Sequence, residues 1–187
     1  MAKAAPINKL TKPGHLLFDS ASVLIVRWHE LMAWAEAAHD PENVTELHNM
    51  RIAAKRLRYT LEIFAPVLRS ESTVFPSITE LQERIGAIHD CDVLFPLLRK
   101  TLEAEIKREG KSNAAGPPPF LAAEGLVALL TRKRDERRAL YNDFIQWWDA
   151  LPPHKLAEDL EQLIASQPNT AEAAQTNEEL PNVPDES

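Results

Sequence analysis

The chain has 187 residues, of which 44% are hydrophobic and 6% aromatic, which is enough for one globular domain around a single core. Its one cysteine, Cys91, excludes an intramolecular disulfide and a thiolate zinc cluster, and it favours a reducing compartment. The sequence has neither the pattern of a secretory leader nor a run of eighteen apolar residues. We therefore expect a cytoplasmic protein that is neither secreted nor membrane-spanning.

The net charge of −7 would disfavour an anionic ligand if it were spread evenly along the chain. From residue 154 onward, however, there are eight acidic residues and one basic residue, so this segment accounts for the whole imbalance. The preceding part, 1–153, is neutral, and charge clusters within it can still create strong local fields of either sign. The composition therefore remains compatible with a basic ligand site.

Helical periodicity dominates the chain, and no segment has the alternation expected of a strand. Short connections favour antiparallel neighbours, so we predict an all-α fold, an up-and-down four-helix bundle. The predicted helices cover residues 15–39, 44–69, 77–109 and 120–151, with a further short helix at 154–166. The predicted domain limits are a flexible N-terminus at 1–14, the bundle at 15–153 and a disordered acidic tail at 167–187.

The predicted helix ends follow from proline and capping chemistry. The Asp40-Pro41 pair should stop the first helix, because a residue before proline disfavours the helical conformation. Asn43 or Thr45 can cap the second helix, and Ser77 followed by Glu80 resembles a capping box for the third. The segment GKSNAAGPPPF, at 110–120, is predicted to be a loop.

The second predicted helix has two distinct faces, since each residue advances by about 100°. One face is predicted to be core and contains Leu47, Met50, Ala54, Leu57, Leu61, Phe64 and Leu68. The other contains His48, Arg51, Lys55 and Arg58, here called the basic stripe, with Tyr59 and Glu62 beside it. Neighbouring like charges on a helix repel by about a few tenths of a kcal/mol per pair. The stripe therefore favours an anionic ligand, although a solvated face with partner carboxylates is an open alternative.

The third predicted helix contains LQERIGAIHDCDVLFPLL, in which Gln82, His89 and Asp92 fall within one broad face. We expect His89 to point across the bundle, and two roles are open for it: contact with a ligand, or a local hydrogen-bond network with nearby aspartates. Gly86 lowers helix propensity by about 1 kcal/mol relative to alanine. That loss favours close approach of a neighbouring helix at this point.

In the fourth predicted helix, Arg134 and Arg138 interrupt an apolar face. The apolar members of that face are Val127, Leu130, Tyr141, Ile145 and Trp148. Guanidinium groups among core-facing residues are costly unless they are paired, and their planar forks suit carboxylate or phosphate oxygens. Two kinds of partner remain open. One is a phosphate ligand, and the other is an internal acid such as Asp90, Asp92, Asp135 or Glu62.

The segments LHNMRIAAKRLRYTLEIF and LQERIGAIHDCDVLFPLL closely resemble the CHAD domain, an all-helical family named for its histidines. The resemblance covers about residues 15–150 and implies binding of inorganic polyphosphate along a basic surface or channel, and no catalytic activity comes with it. We expect neither a cofactor nor a metal site. It places His48, Arg51, Lys55, Arg56 and Arg58 at the basic positions of the motif. We add His89, Arg134 and Arg138 as candidate ligand contacts from the two other helices, and a location on polyphosphate granules is a further expectation.

Members of this family commonly contain two such helical halves, whereas this chain shows one clear copy. A second half would then have to come from another chain, so we hypothesise a homodimer. Three other functions remain open: a nucleic-acid-binding module, an enzyme acting on phosphate compounds, and a helical scaffold for an acidic protein. The first lacks an aromatic stacking platform beside the stripe, and the second lacks a Gly-rich phosphate loop. Membrane binding is not expected.

Overall fold

The computed structural model describes residues 3–5, 16–66, 74–109, 120–151 and 157–162. Within these ranges the chain forms four long helices: α1 (Leu16–Met32), α2 (Val44–Phe64), α3 (Val74–Glu109) and α4 (Phe120–Ala150). A 3₁₀ turn covers Ala37–His39, and residues 157–162 are helical. None of the described ranges contains a strand, so the prediction of an all-α protein is confirmed.

The first helix ends earlier than predicted. Beyond Met32 the backbone tightens, because Trp34 N–H bonds to Leu31 O and Ala35 N–H bonds to Met32 O, both at 3.1 Å and both three residues apart. The 3₁₀ turn then leads to Asp40, and the prediction of one helix to residue 39 is wrong. Asn43 occupies the N-cap position of α2 without a side-chain capping bond. Its Nδ2 instead donates to Ala37 O at 3.0 Å and ties the 3₁₀ turn to the start of α2.

The third helix begins at Val74, three residues before the predicted start, so Ser77 lies inside its first turns and the predicted capping box is wrong. Pro76 is tolerated there because the first amides of a helix have no partner within the helix. The second helix ends at Phe64 rather than 69. The predicted core position Leu68, the tail 167–187 and the loop 110–119 lie outside the described residues.

One hydrophobic core joins the four helices and the helical residues 157–162. The predicted core face of α2 is confirmed at five of its positions, and Phe64 is only partly buried. The most deeply buried core side chains, each with 0–2% of its surface exposed, include Leu24, Leu31, Leu47, Met50, Leu57, Leu61, Val74, Ile78, Leu81, Ile85, Ile88 and Phe144. The Tyr141 hydroxyl on α4 donates to Ala38 O at 3.0 Å, and this bond holds the 3₁₀ turn against α4.

Contacts between neighbouring helices show that α2, α3 and α4 are successively antiparallel. Arg58 near the end of α2 meets Gln82 near the start of α3, whereas His48 near the start of α2 meets His89 further along α3. The same reversal holds between α3 and α4. Asp143 pairs with Arg84, and Arg137 pairs with Asp92. None of the described helices qualifies by length and apolarity as a candidate membrane span.

The third helix continues beyond the start of α2. With a rise of about 1.5 Å per residue, α2 is about 31 Å long and α3 about 54 Å. Val44, the first residue of α2, shares a cavity wall with Phe95 and Pro96, which leaves the last part of α3 and the first part of α4 without α2 alongside. Ile106 and Val127, in those parts, are 54% and 50% exposed.

This difference in length corrects the prediction for α4. Arg134 is exposed and the Arg138 side chain is 75% exposed. The prediction that these two arginines face the core is therefore wrong. They share a helical face with Tyr141 and Trp148, which are buried. That face is covered near Tyr141 but is exposed towards Val127, because none of the described helices packs over it there. The arginines therefore avoid the cost of burial.

Candidate functional site

The basic stripe lies along the seam between α2 and α3. At one end the His48 ring stacks on the His89 ring, with 4.9 Å between ring centroids and 22° between their planes. At the other end Arg58 Nε donates to Gln82 Oε1 at 2.8 Å. Between them, Arg51 lies over Gly86. Residues that the sequence placed on separate helix faces are thus brought together, and His89 does point across to the neighbouring helix.

Two polar atoms near the histidine end of this seam are buried without a hydrogen-bond partner among the described residues: Arg51 Nε and His89 Nδ1. The nearest acid to His89 is Asp90, whose Oδ1 is 3.6 Å from Nδ1, beyond hydrogen-bond distance. An unsatisfied buried polar group costs about 1–3 kcal/mol, and more when it is charged. A ligand that supplies acceptor oxygens at this point would recover that cost.

Gly86 gives Arg51 its room. A β-carbon built on Gly86 would lie 3.9 Å from Arg51 Nε, and no other heavy atom of the described residues lies within 4 Å of it apart from its own helix. The predicted close approach at Gly86 is therefore made by a side chain and not by a helix backbone. Because Gly86 has no side chain, the surface of α3 leaves space beside the unpartnered Nε atom.

The other two stripe cations are held around Tyr59. Arg58 lies 4.7 Å and Lys55 Nζ 5.5 Å from the centre of the Tyr59 ring, within the range of cation–π attraction. Arg58 is also bound by Glu62 Oε1 at 2.7 Å, so Tyr59 and Glu62 do lie beside the stripe as predicted. Arg58 is fixed by α3, its own helix and an aromatic ring, while the Lys55 ammonium stays exposed.

Burial, the neighbouring His89 and Arg51 lower the pKa of His48 below the ordinary value of 6.5. The pKa is lowered because a protonated His48 ring would be desolvated and would face other positive charge. His48 is therefore mostly neutral near pH 7 in the absence of a ligand. An anion bound beside it would supply the compensating charge and favour the protonated ring.

Arg56 is not brought together with the stripe. It is about 100° or more around α2 from Arg51, Lys55 and Arg58, and its Nη1 lies 3.9 Å from Glu30 Oε1 on α1. Glu30 also pairs with Arg27 at 2.7 Å. Arg56 therefore contributes to the contact between α1 and α2.

Arg134 and Arg138 line a cavity of about 570 Å³ where α2 begins. Asp92, one turn beyond His89 on α3, also lines it. Arg138 Nη2 pairs with Asp135 at 3.0 Å, which is one of the internal acids considered from the sequence. Sequence reasoning did not single out Arg137, which binds Asp92 and also donates from Nη2 to Pro41 O at 2.9 Å. Its position, three residues after Arg134 and next to Arg138, did not indicate that partner.

The described part of the chain contains no group of three or more His, Cys, Asp or Glu residues that could hold a metal ion. The structure thus defines an all-α protein with a basic seam between two antiparallel helices. The family model of the CHAD domain matches residues 9–99, and this match confirms the sequence resemblance over those residues.

The match contains α1, α2 and α3 up to Arg99, and with them the whole seam from His48 to His89. It does not extend to α4, so the expected coverage to residue 150 is shown only as far as residue 99. Arg134 and Arg138 lie outside it. Neither a search of curated proteins nor a search of solved structures found a match to this chain.

Proposed function

We propose that this chain is a non-catalytic module that binds inorganic polyphosphate along the α2–α3 seam. The observation that carries the proposal is the pair of buried, unpartnered atoms, Arg51 Nε and His89 Nδ1, in a row of cations that neighbouring groups already orient. The CHAD resemblance supports the choice of ligand. Polyphosphate supplies many acceptor oxygens and about one negative charge per phosphate.

The binding mechanism that follows is electrostatic, and it requires the Arg51 side chain to turn so that its buried Nε meets the ligand. From His48 to Arg58 the stripe extends about 15 Å along the axis of α2, long enough to contact several phosphates in succession. Arg51 would donate from its buried Nε, and Lys55 and Arg58 would neutralise the neighbouring phosphates. Arg56 would support the site by holding α2 against α1. Arg134 and Arg138 on α4, which line a cavity with Asp92 one turn beyond His89, are proposed as an extension of the same path.

A displacement assay tests this choice of ligand against a nucleic acid. Labelled long-chain polyphosphate should be displaced by unlabelled polyphosphate but not by an equal phosphate concentration of double-stranded DNA or single-stranded RNA. Apart from the two imidazoles, which stack on each other, the described residues of the seam include one aromatic ring, Tyr59, which Arg58 and Lys55 already cover. It therefore offers no stacking platform for bases. Equal displacement by RNA would contradict the proposal.

We predict that polyphosphate binding tightens as the pH falls. An anion bound beside His48 would raise the pKa of this ring in the complex, so a proton is taken up on binding. Affinity should rise by at most about tenfold per pH unit for each proton, between the pKa of the complex and that of the free protein. For His48 the free pKa lies below 6.5, so the rise should continue below pH 6.5.

Calorimetric titrations across the pH range would measure this effect. The variant His48→Ala with His89→Ala should lose most of the pH dependence, whereas His29→Ala on α1, which is exposed, should keep it. An unchanged pH profile in the double variant would reject the histidine role.

We also propose that the active form is a homodimer, since one copy of the helical motif supplies one seam. Size-exclusion chromatography with light scattering should then give twice the mass of the 187-residue chain in the presence of long-chain polyphosphate. A strictly monomeric mass, both with and without polyphosphate, would contradict the dimer proposal. It would not contradict polyphosphate binding at the seam.

A further inference from the structure

We infer that the cavity at the start of α2 is a second ligand site, which binds a nucleoside phosphate. The cavity has a volume of about 570 Å³ and lies between the start of α2, the middle of α3 and α4. Its size falls within the range of about 300–1,000 Å³ that is typical of small-molecule sites. The inference does not depend on polyphosphate binding at the α2–α3 seam, because the cavity is lined by other residues. Only Arg134 and Arg138, the proposed extension of the polyphosphate path, are common to both proposals.

The walls of the cavity are partly apolar, and inorganic phosphate has no apolar surface that could pack against them. Pro41, Val44, Phe95 and Tyr141 all line it. Phe95 is only half-buried although it is a large aromatic residue. A flat apolar group placed against Phe95 would remove this surface from water and could stack on the ring.

The charged part of the wall is basic. Three arginines on one face of α4 line the cavity, against the two acids Glu42 and Asp92. Arg137 neutralises Asp92 directly. Arg134 has no acidic partner at ion-pair distance within the described residues. The exposed pair between Arg138 and Asp135 contributes at most about 1 kcal/mol, so its guanidinium can turn towards a phosphate at little cost.

A second cavity, of about 460 Å³, continues from the first. It shares Val44, Asp92 and Phe95 with it and adds Arg99 and Lys100 on α3. Phe95 therefore lies in the middle of a continuous groove with cations on both sides. A base against Phe95 would leave its ribose and phosphates to reach Arg134 and Arg138, which fork onto phosphate oxygens.

Calorimetry with ATP, adenosine and inorganic tripolyphosphate tests the inference. The titrations use the full-length variant without Arg51, Lys55 and Arg58, so that the α2–α3 seam does not contribute to tripolyphosphate binding. ATP should bind more tightly than either of the other two, since only ATP uses both the apolar wall and the arginines. Phe95→Ala should weaken ATP binding by about tenfold or more and leave tripolyphosphate binding unchanged. The double variant Arg134→Gln, Arg138→Gln should weaken both.

Variants of the two sites separate this inference from the proposed function. Removal of Arg51, Lys55 and Arg58 together should leave ATP binding unchanged, whatever it does to long-chain polyphosphate. Phe95→Leu, which keeps most of the apolar volume, serves as the control in case Phe95→Ala does not fold, and it should also weaken ATP binding. The inference is overturned if ATP does not bind at millimolar concentration, if Phe95→Leu binds ATP as tightly as the unmodified chain, or if tripolyphosphate binds as well as ATP.

Discussion

Replacement of Arg51, Lys55 and Arg58 by alanine in one variant is expected to weaken the binding of long-chain polyphosphate by at least about a hundredfold at about 0.1 M salt. Hydrogen bonds to charged groups contribute about 1.5–3 kcal/mol each, and a hundredfold change in affinity needs about 2.7 kcal/mol. The variant removes three such donors from the centre of the seam. Calorimetric titration would measure the loss, and affinity of the unmodified chain should fall steeply with added salt.

The matched control is Lys107→Ala, Arg108→Ala, Arg132→Ala. Like the first variant, it removes two arginines and one lysine. These three residues are exposed and lie on the parts of α3 and α4 that extend beyond α2. If net charge alone governs binding, both variants will lose affinity equally. Such a result would refute a localised site, whereas a loss of less than about fivefold in the control would support one.

The second large effect concerns stability. Arg137→Ala should lower the free energy of unfolding by about 3 kcal/mol, because it leaves the Asp92 carboxylate, whose side chain is 10% exposed, without its cation. Loss of one member of a buried ion pair costs about 3–5 kcal/mol, and the slight exposure here favours the lower end. The same substitution also releases Pro41 O at the start of α2. Urea denaturation followed by circular dichroism would measure the change.

A neighbouring substitution provides the control for this result. Arg138→Ala removes an exposed arginine whose partner, Asp135, lies on the same helix, and surface changes of this kind stay within about 0.5 kcal/mol. Replacing Arg137 and Asp92 together by leucine should restore most of the lost stability, since a well-packed apolar pair can match a buried ion pair. Equal losses for Arg137→Ala and Arg138→Ala would show that the Asp92 contact contributes nothing.

Helical periodicity was sufficient to predict the core face of α2, where Leu47, Met50, Leu57 and Leu61 are all buried. The helix ends were less predictable, because they depend on tertiary hydrogen bonds. Asn43 has the right chemistry for an N-cap, yet its amide is used to hold the 3₁₀ turn. No pattern in the sequence indicates whether the Asn43 side chain will cap α2 or bond to the 3₁₀ turn.

The candidate site was predictable to the extent that it lies on one helix. The spacing of His48, Arg51 and Arg58 places them on one face of α2 whatever surrounds them. Their partners across the seam depend on how α2 and α3 are aligned, and spacing along one helix does not determine that alignment. Arg134 shows the opposite case, because periodicity identified its helical face correctly but could not show that α2 does not extend far enough to cover that face.

The imidazole NMR signals of the full chain, recorded during a titration with long-chain polyphosphate and assigned with single histidine variants, test the central proposal most directly. The signals of His48 and His89 should shift together, and the pKa of His48 should rise from its low value in the free protein. His29 on α1 and His39 in the 3₁₀ turn are internal controls and should stay unchanged. If His48 and His89 do not respond while polyphosphate binds, the α2–α3 seam is not the polyphosphate site.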